Sequence, residues 1–120
     1  MPVKILLPRL TVILLTIILF AIAPNAWSAS FTIVDGQFVT SQQTLLDPGD
    51  TGTINSGGDL TTSVIAIATS ASNITVLNNG AITTSGYNAY GIDSRSNSGT
   101  NTFTNSGTIT TSGTTGYGIY

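Results

Sequence analysis

From residue 73 onward the chain alternates apolar side chains with hydroxyl or amide ones in short runs, each bounded by Gly, Ser or Asn. Val76 and Phe103 sit among Thr and Asn. Ile82 lies in Ala81-Ile82-Thr83-Thr84 and Ile109 in Thr108-Ile109-Thr110-Thr111, while Tyr90 with Ile92 and Tyr117 with Ile119 each bracket a glycine. A period of two over a few residues predicts short strands with one covered face. The runs recur 27 positions on, and residues 78–93 and 105–120 agree at 10 of 16 positions. Copies at one fixed offset, punctuated by Gly, predict stacked coils in which each repeat contacts only its neighbours.

Residues 55–67 read as a degenerate first copy. Leu60-Thr61-Thr62-Ser63 stands for Ile82-Thr83-Thr84-Ser85, and Ile65-Ala66-Ile67 for Tyr90-Gly91-Ile92. Residues i and i+2 of a strand share a face, so four inward columns are predicted. They are Leu60, Ile82, Ile109; Ile65, Tyr90, Tyr117; Ile67, Ile92, Ile119; and Val76, Phe103, with Ala66, Gly91 and Gly118 pointing out. Three strands per repeat, around Val76, Ile82 and Tyr90, predict an all-β fold: a right-handed parallel β-helix of about three coils with period 27, its strands stacked at about 4.8 Å. Burying a large apolar side chain contributes about 1.5–3 kcal/mol, whereas ordering each backbone residue costs about 1–2 kcal/mol. A lone coil therefore cannot fold, and stability must come from its neighbours.

The first part of the chain lacks the repeat. Phe31-Thr32-Ile33-Val34 and Gln37-Phe38-Val39-Thr40 flank Asp35-Gly36, a hairpin-type signal. Asp47-Pro48-Gly49-Asp50 is a second turn. This segment is expected to cap the first coil. Residues 1–9 are short and basic, Leu10 to Ala23 is apolar apart from Thr11 and Thr16, and Pro24-Asn25-Ala26-Trp27-Ser28-Ala29 ends in small residues. That order predicts a secretory signal peptide cut after Ser28. As a membrane anchor the roughly 14 apolar residues would span only about 21 Å of a ~30 Å core. The expected organisation is a signal peptide over 1–28, an N-terminal β cap over 29–54 and β-helix repeats over 55–120.

Composition narrows the function. Charged residues make up 7% of the chain, and Cys and His are absent. Lys4 and Arg9 lie in the leader, so the remainder sets Arg95 against Asp35, Asp47, Asp50, Asp59 and Asp93, a net charge of −4. One cation cannot cover a phosphate backbone, which excludes nucleic acid as a partner. Without His, Cys, Lys or Glu beyond the leader, no catalytic triad or zinc site can be assembled.

The strings Asn-Ser-Gly-Thr-Ile-Thr-Thr-Ser-Gly (105–113) and Tyr-Gly-Ile (90–92 and 117–119), behind a signal peptide, resemble the passenger repeats of bacterial autotransporters of the type V secretion class. The resemblance covers residues 55–120, most strongly from Asn78 on. It implies a secreted or surface-exposed β-helix, non-catalytic and structural or adhesive, with host or cell-surface glycans or proteins as partners. In that family a C-terminal outer-membrane barrel carries the passenger out. No barrel occurs in these residues, so the chain is expected to be a truncated segment whose open β edge self-associates.

Individual motifs add little chemistry. Asn55, Asn78 and Asn105 open their copies before Gly and are expected to form an inward amide ladder. Thr83 stacks with Thr110, a fragment of the kind of Thr array that ice-binding β-helices carry; Ala81 breaks it. Asp93-Ser94-Arg95 is the one close charge pair, and an extracellular β-helix enzyme acting on polysaccharide would need such a pair within a larger acidic and basic cluster. On a connecting turn it reads as solvated. Asn73-Ile74-Thr75 fits the glycosylation pattern by chance. No catalytic, cofactor-binding or metal-ligating residue is assigned.

Overall fold

The computed structural model describes residues 30–96 and 98–120. The leader and its cleavage site lie outside the described residues. Eleven strands follow one another: β1 (Phe31–Ile33), β2 (Phe38–Val39), β3 (Gln43–Leu45), β4 (Thr51–Ile54), β5 (Asp59–Thr62), β6 (Ile67–Thr69), β7 (Thr75–Asn78), β8 (Ala81–Thr84), β9 (Ile92–Ser94), β10 (Thr102–Asn105) and β11 (Thr108–Thr111). All their pairings are parallel. They form three sheets, β1-β4-β7-β10, β2-β5-β8-β11 and β3-β6-β9. A parallel bridge from Ile92 to Ile119 extends the third. The chain is thus a three-sided parallel β-solenoid of three complete coils and most of a fourth, with no helix among the described residues.

Two expectations change along the N-terminal half. Asp35-Gly36 does make a turn, with Gln37 N–H donating to Val34 C=O at 3.0 Å and Gly36 at φ 73°. It is not a hairpin, because β1 and β2 pair with β4 and β5 on different sides rather than with each other. Residues 31–45 therefore form a coil of the same three-sided kind as those that follow. The 27-residue period also belongs only to the last step. On the first side, Phe31 pairs with Gly52, Gly52 with Val76 and Val76 with Phe103, steps of 21, 24 and 27 residues. The connecting loops absorb these differences while the strands keep their register.

The core is a column of side chains running up the axis. Ile33, Leu45, Ile54, Leu60, Ile67, Ile74, Val76, Ile82 and Ile92 are all at most 2% exposed, with Phe103 and Ile109 packed on them from the fourth coil. Leu60, Ile82 and Ile109 stand in register as predicted, as do Val76 with Phe103 and Ile67 with Ile92 and Ile119. Gly52 belongs to the Val76 column, and a Cβ there would lie 2.7 Å from the Phe31 ring, so a phenyl group in one coil occupies the space a side chain would need in the next.

The column of Ile65, Tyr90 and Tyr117 is the main correction. Ala66 N–H donates to Tyr90 C=O and Gly91 N–H to Tyr117 C=O, so the three segments are in register. Yet Ala66 is fully buried whereas Tyr117 is 55% exposed. The chain bends at Ala66, Gly91 and Gly118, just before the third strand, and the bend resets the alternation. Small residues turn in and tyrosines turn out. A Cβ on Gly91 would approach Ile109 Cγ2 to 2.5 Å, so in coil three the interior at this corner has no room for more than hydrogen, whereas coil two takes the Ala66 methyl group there and at Gly118 a Cβ would stand 3.7 Å from Ile109 Cγ2.

Polar columns close the other corners. Asn78 is fully buried, its Nδ2 donating to Asn105 Oδ1 at 2.7 Å and to Thr108 C=O at 3.1 Å, and its Oδ1 accepting from Gly80 N–H at 3.2 Å. The amide ladder therefore has two rungs. Asn55 is not one of them: Asn78 pairs with Ile54, because the corner after β4 is a four-residue turn and the corner after β7 has only two residues. A second inward file, Thr62, Thr84 and Thr111, ties the next loop down, Thr84 Oγ1 donating to Ala89 C=O at 2.8 Å and Thr111 Oγ1 to Gly116 C=O at 3.5 Å.

Candidate functional site

The third side carries the densest chemistry among the described residues. Strand β9 alternates Ile92 inward with Asp93 outward. The main chain of Tyr120 pairs alongside, Tyr120 N–H donating to Ile92 C=O at 2.8 Å and Ser94 N–H to Tyr120 C=O at 2.9 Å. Tyr90, turned out by the bend at Gly91, reaches the same surface. Its ring centroid lies 4.9 Å from that of Tyr120, nearly parallel at 16°, and 5.7 Å from that of Tyr117. Tyr117 and Tyr120 are 5.8 Å apart. Offset rings at these separations attract one another beyond the area they bury. The result is a contiguous aromatic cluster on the outside of coils three and four.

Beside it stands the ion pair. Arg95 Nε donates to both carboxylate oxygens of Asp93, at 3.1 and 2.9 Å. The Asp93 side chain is 5% exposed although it points outward, whereas Arg95 is 65% exposed. Asp93 lies on a strand rather than on the connecting turn expected from the sequence, and it is buried rather than solvated. The hydrogen bond to Asp93, and then its charge, raise the Arg95 pKa. Holding Nε on Asp93 leaves both terminal guanidinium nitrogens with no partner among the described residues.

On the opposite flank of the pair a shallow depression of about 280 Å³ is lined by Leu46, Ile65, Ala68, Thr69, Ser70, Asp93 and Arg95. Thr69 is buried, and its hydroxyl has no hydrogen-bond partner among the described residues. Tyrosine cluster, ion pair and depression form one continuous strip along the solenoid axis. Sequence reasoning noted Asp93 and Arg95 only as a solvated turn pair with no site role, and assigned Tyr90 and Tyr117 to the core. The available signal was the glycine at 91 and 118, since Gly inside a strand pattern marks a bend or a close approach.

The remaining candidates lie elsewhere. Thr83 and Thr110 stack on the outer face of the second side, with Thr61 below them. A second Thr file of equal length, missed in the sequence, runs up the first side through Thr51, Thr75 and Thr102, and Thr53 and Thr104 flank Leu77 in the adjacent file. Asn73 is exposed at φ 59°, its Oδ1 accepting from Thr100 N–H at 3.4 Å. The other aspartates are dispersed: Asp35 in the first turn, Asp47 accompanied by Asp50 in the second, and Asp59 at the start of β5, bonded to the Thr61 hydroxyl at 2.8 Å. Among the described residues no three His, Cys, Asp or Glu side chains come together as a metal site.

Comparison with protein-family models, with curated proteins and with solved structures returned no match.

Proposed function

We propose that this chain is a non-catalytic, structural and adhesive segment of an exported protein of the autotransporter type, displayed at the cell surface or secreted. The observation that carries the reading is the repeat itself. Residues 78–93 and 105–120 stack coil on coil, directing a polar Thr, Ser and Asn surface outward around a narrow apolar core. Such a rod extends by adding coils and presents its outer faces repetitively, which suits a stalk that must reach a partner and bind it many times. Dispersal of the aspartates supports binding over polysaccharide cleavage, which requires an acid and a base converging on one bond.

Two measurements test it. The exported chain should begin at Ala29 by mass spectrometry, and beads coated with it should adhere to host or bacterial cells. Retention of the leader, or adhesion no better than that of uncoated beads, contradicts the proposal. Release of new reducing ends or unsaturated uronic products from polysaccharide would replace it with the enzymatic reading.

A second reading, ice binding, is favoured by the Thr51, Thr75, Thr102 file, because stacked coils repeat a hydroxyl and methyl pair at about 4.8 Å. Thermal hysteresis in a freezing assay, lost in Thr75→Tyr, would establish it. The adhesive reading expects none.

A further inference from the structure

We propose that the third side of the solenoid holds a binding site for neutral pyranose sugars, built from Tyr90, Tyr117, Tyr120 and the Arg95 guanidinium that Asp93 fixes in place. The site deepens the adhesive reading and rests on it for its biological role. Its chemistry stands on four observations.

Three aromatic rings are gathered on the outside of coils three and four, and Tyr117 and Tyr120 are 55% and 61% exposed. The crowded interior at Gly91 turns Tyr90 outward, where it meets the other two rings, and a contiguous exposed apolar patch marks an interaction surface. The axial C–H groups of a pyranose ring form a weakly positive apolar face. A tyrosine ring presents a negative face of similar size with a hydroxyl at its rim.

The second observation is the orientation of Arg95. Both of its side-chain hydrogen bonds run from Nε to Asp93, which leaves the two terminal nitrogens without a partner among the described residues. Two parallel N–H donors in a fixed plane match two oxygens on neighbouring ring carbons. Asp93 is a positioning residue here, and Arg95 makes the contact.

Charge chooses between neutral and acidic sugars. Arg95 is the one cation after the leader, Asp93 balances it, and the chain beyond the leader carries a net charge of −4. No uncompensated positive charge faces the ligand. A neutral sugar loses nothing by this, whereas a uronate or sulfated sugar would approach a surface of its own sign.

Finally, the depression on the far side of Arg95 provides a place for a second sugar ring. Its lining of Leu46, Ile65, Ala68 and Ser70 gives such a ring apolar contact beside the guanidinium.

The test is an amide-resolved NMR titration of the folded chain with cellopentaose, maltopentaose and chitotetraose, and with oligogalacturonate as the acidic comparison. At least one neutral oligosaccharide should move the amides of residues 90–95 and 117–120 at millimolar concentration, more strongly than oligogalacturonate does. Tyr117→Ala and Tyr120→Ala should each weaken that binding by about three- to tenfold, Tyr117→Phe should retain it, and Arg95→Lys should lose about tenfold because the planar fork is gone. Melting temperatures recorded in parallel separate binding from folding. The proposal is overturned if none of the neutral sugars shifts these amides at tens of millimolar, if oligogalacturonate binds tightest, or if the tyrosine variants melt lower while sugar binding is unchanged. Coated beads that still adhere to cells while the sugar titration fails would remove this site and leave the adhesive reading intact.

Discussion

A Cβ built on Gly86 would lie 1.8 Å from the Ser63 carbonyl oxygen of the coil below, and one on Gly113 would lie 1.8 Å from that of Gly86. Here glycine is required because two backbones abut. Gly36 differs: nothing lies within 4 Å of its Cβ position, but its φ is 73°. Gly86→Ala is therefore expected to reduce the unfolding free energy by about 3 kcal/mol or more, since backbone must move. Gly36→Ala should cost only about 1 kcal/mol of strain. Urea denaturation measures both, and equal effects would contradict the distinction. Asn78 makes a similar case for polar groups. Asn78→Ala leaves the Gly80 N–H and the Thr108 carbonyl without their buried partner, an expected loss of about 2–3 kcal/mol. Asn105→Ala, at an exposed position, should lose less than about 1 kcal/mol. At this scale the sequence announced its apolar columns well, because Leu60, Ile82 and Ile109 obey strand alternation within uninterrupted strands. It misled at Tyr90 and Tyr117, where alternation was carried across a bend that only the packing of Gly91 against Ile109 reveals.

The coil is the element, and its strands and loops follow different rules. Three strands per coil were legible from 73 onward because the strand sequences repeat. In the second coil the degenerate copy over 55–67 revealed the second and third sides, but its first side and the whole of the first coil stayed hidden, because their first-side register steps of 21 and 24 residues mask the repeat and Asp35-Gly36 imitates a hairpin. What unites the coils is contact between equivalent positions, and Phe31 over Gly52 is the clearest example. Gly52→Ala should destabilise the chain by about 2 kcal/mol through overpacking against the ring. Adding Phe31→Leu should recover part of that loss, because the two sites share one volume. A double-mutant cycle checks this, and strictly additive effects would show that the ring does not fill the space above Gly52. The candidate strip could be half read at this level: the Asp93 and Arg95 spacing was visible, but not that a strand and a neighbouring coil would set three tyrosines beside them.

Across the whole molecule, stability runs along one axis. Coils two and three are covered on both ends and hold most of the fully buried side chains, including Ile54, Leu60, Ile67, Val76 and Ile82, with Leu45 in coil one. The same columns in coil four end in half-buried Phe103 and Ile109. Hydrogen exchange should therefore be slowest for amides in β5, β6, β7 and β8 and at least tenfold faster in β10 and β11, since a stacked array opens from its less covered coils. Uniform protection from β1 to β11 would instead indicate a single cooperative block. The sugar strip spans both zones, and ligand bridging Tyr90 to Tyr117 should slow exchange at Ile92 and Ile119 by mass action.

The 27-residue step from coil three to coil four carries a consequence for heredity. Val76 to Phe103, Asn78 to Asn105, Ile82 to Ile109 and Ile92 to Ile119 all advance by that one increment. A unit of this length is at once one structural coil and an in-frame segment of its coding sequence. Recombination between copies can insert or delete it without moving any core residue out of its column. Lineages can thus lengthen or shorten such a rod, and multiply or thin its outward tyrosines, in single genetic events that leave every surviving coil correctly packed.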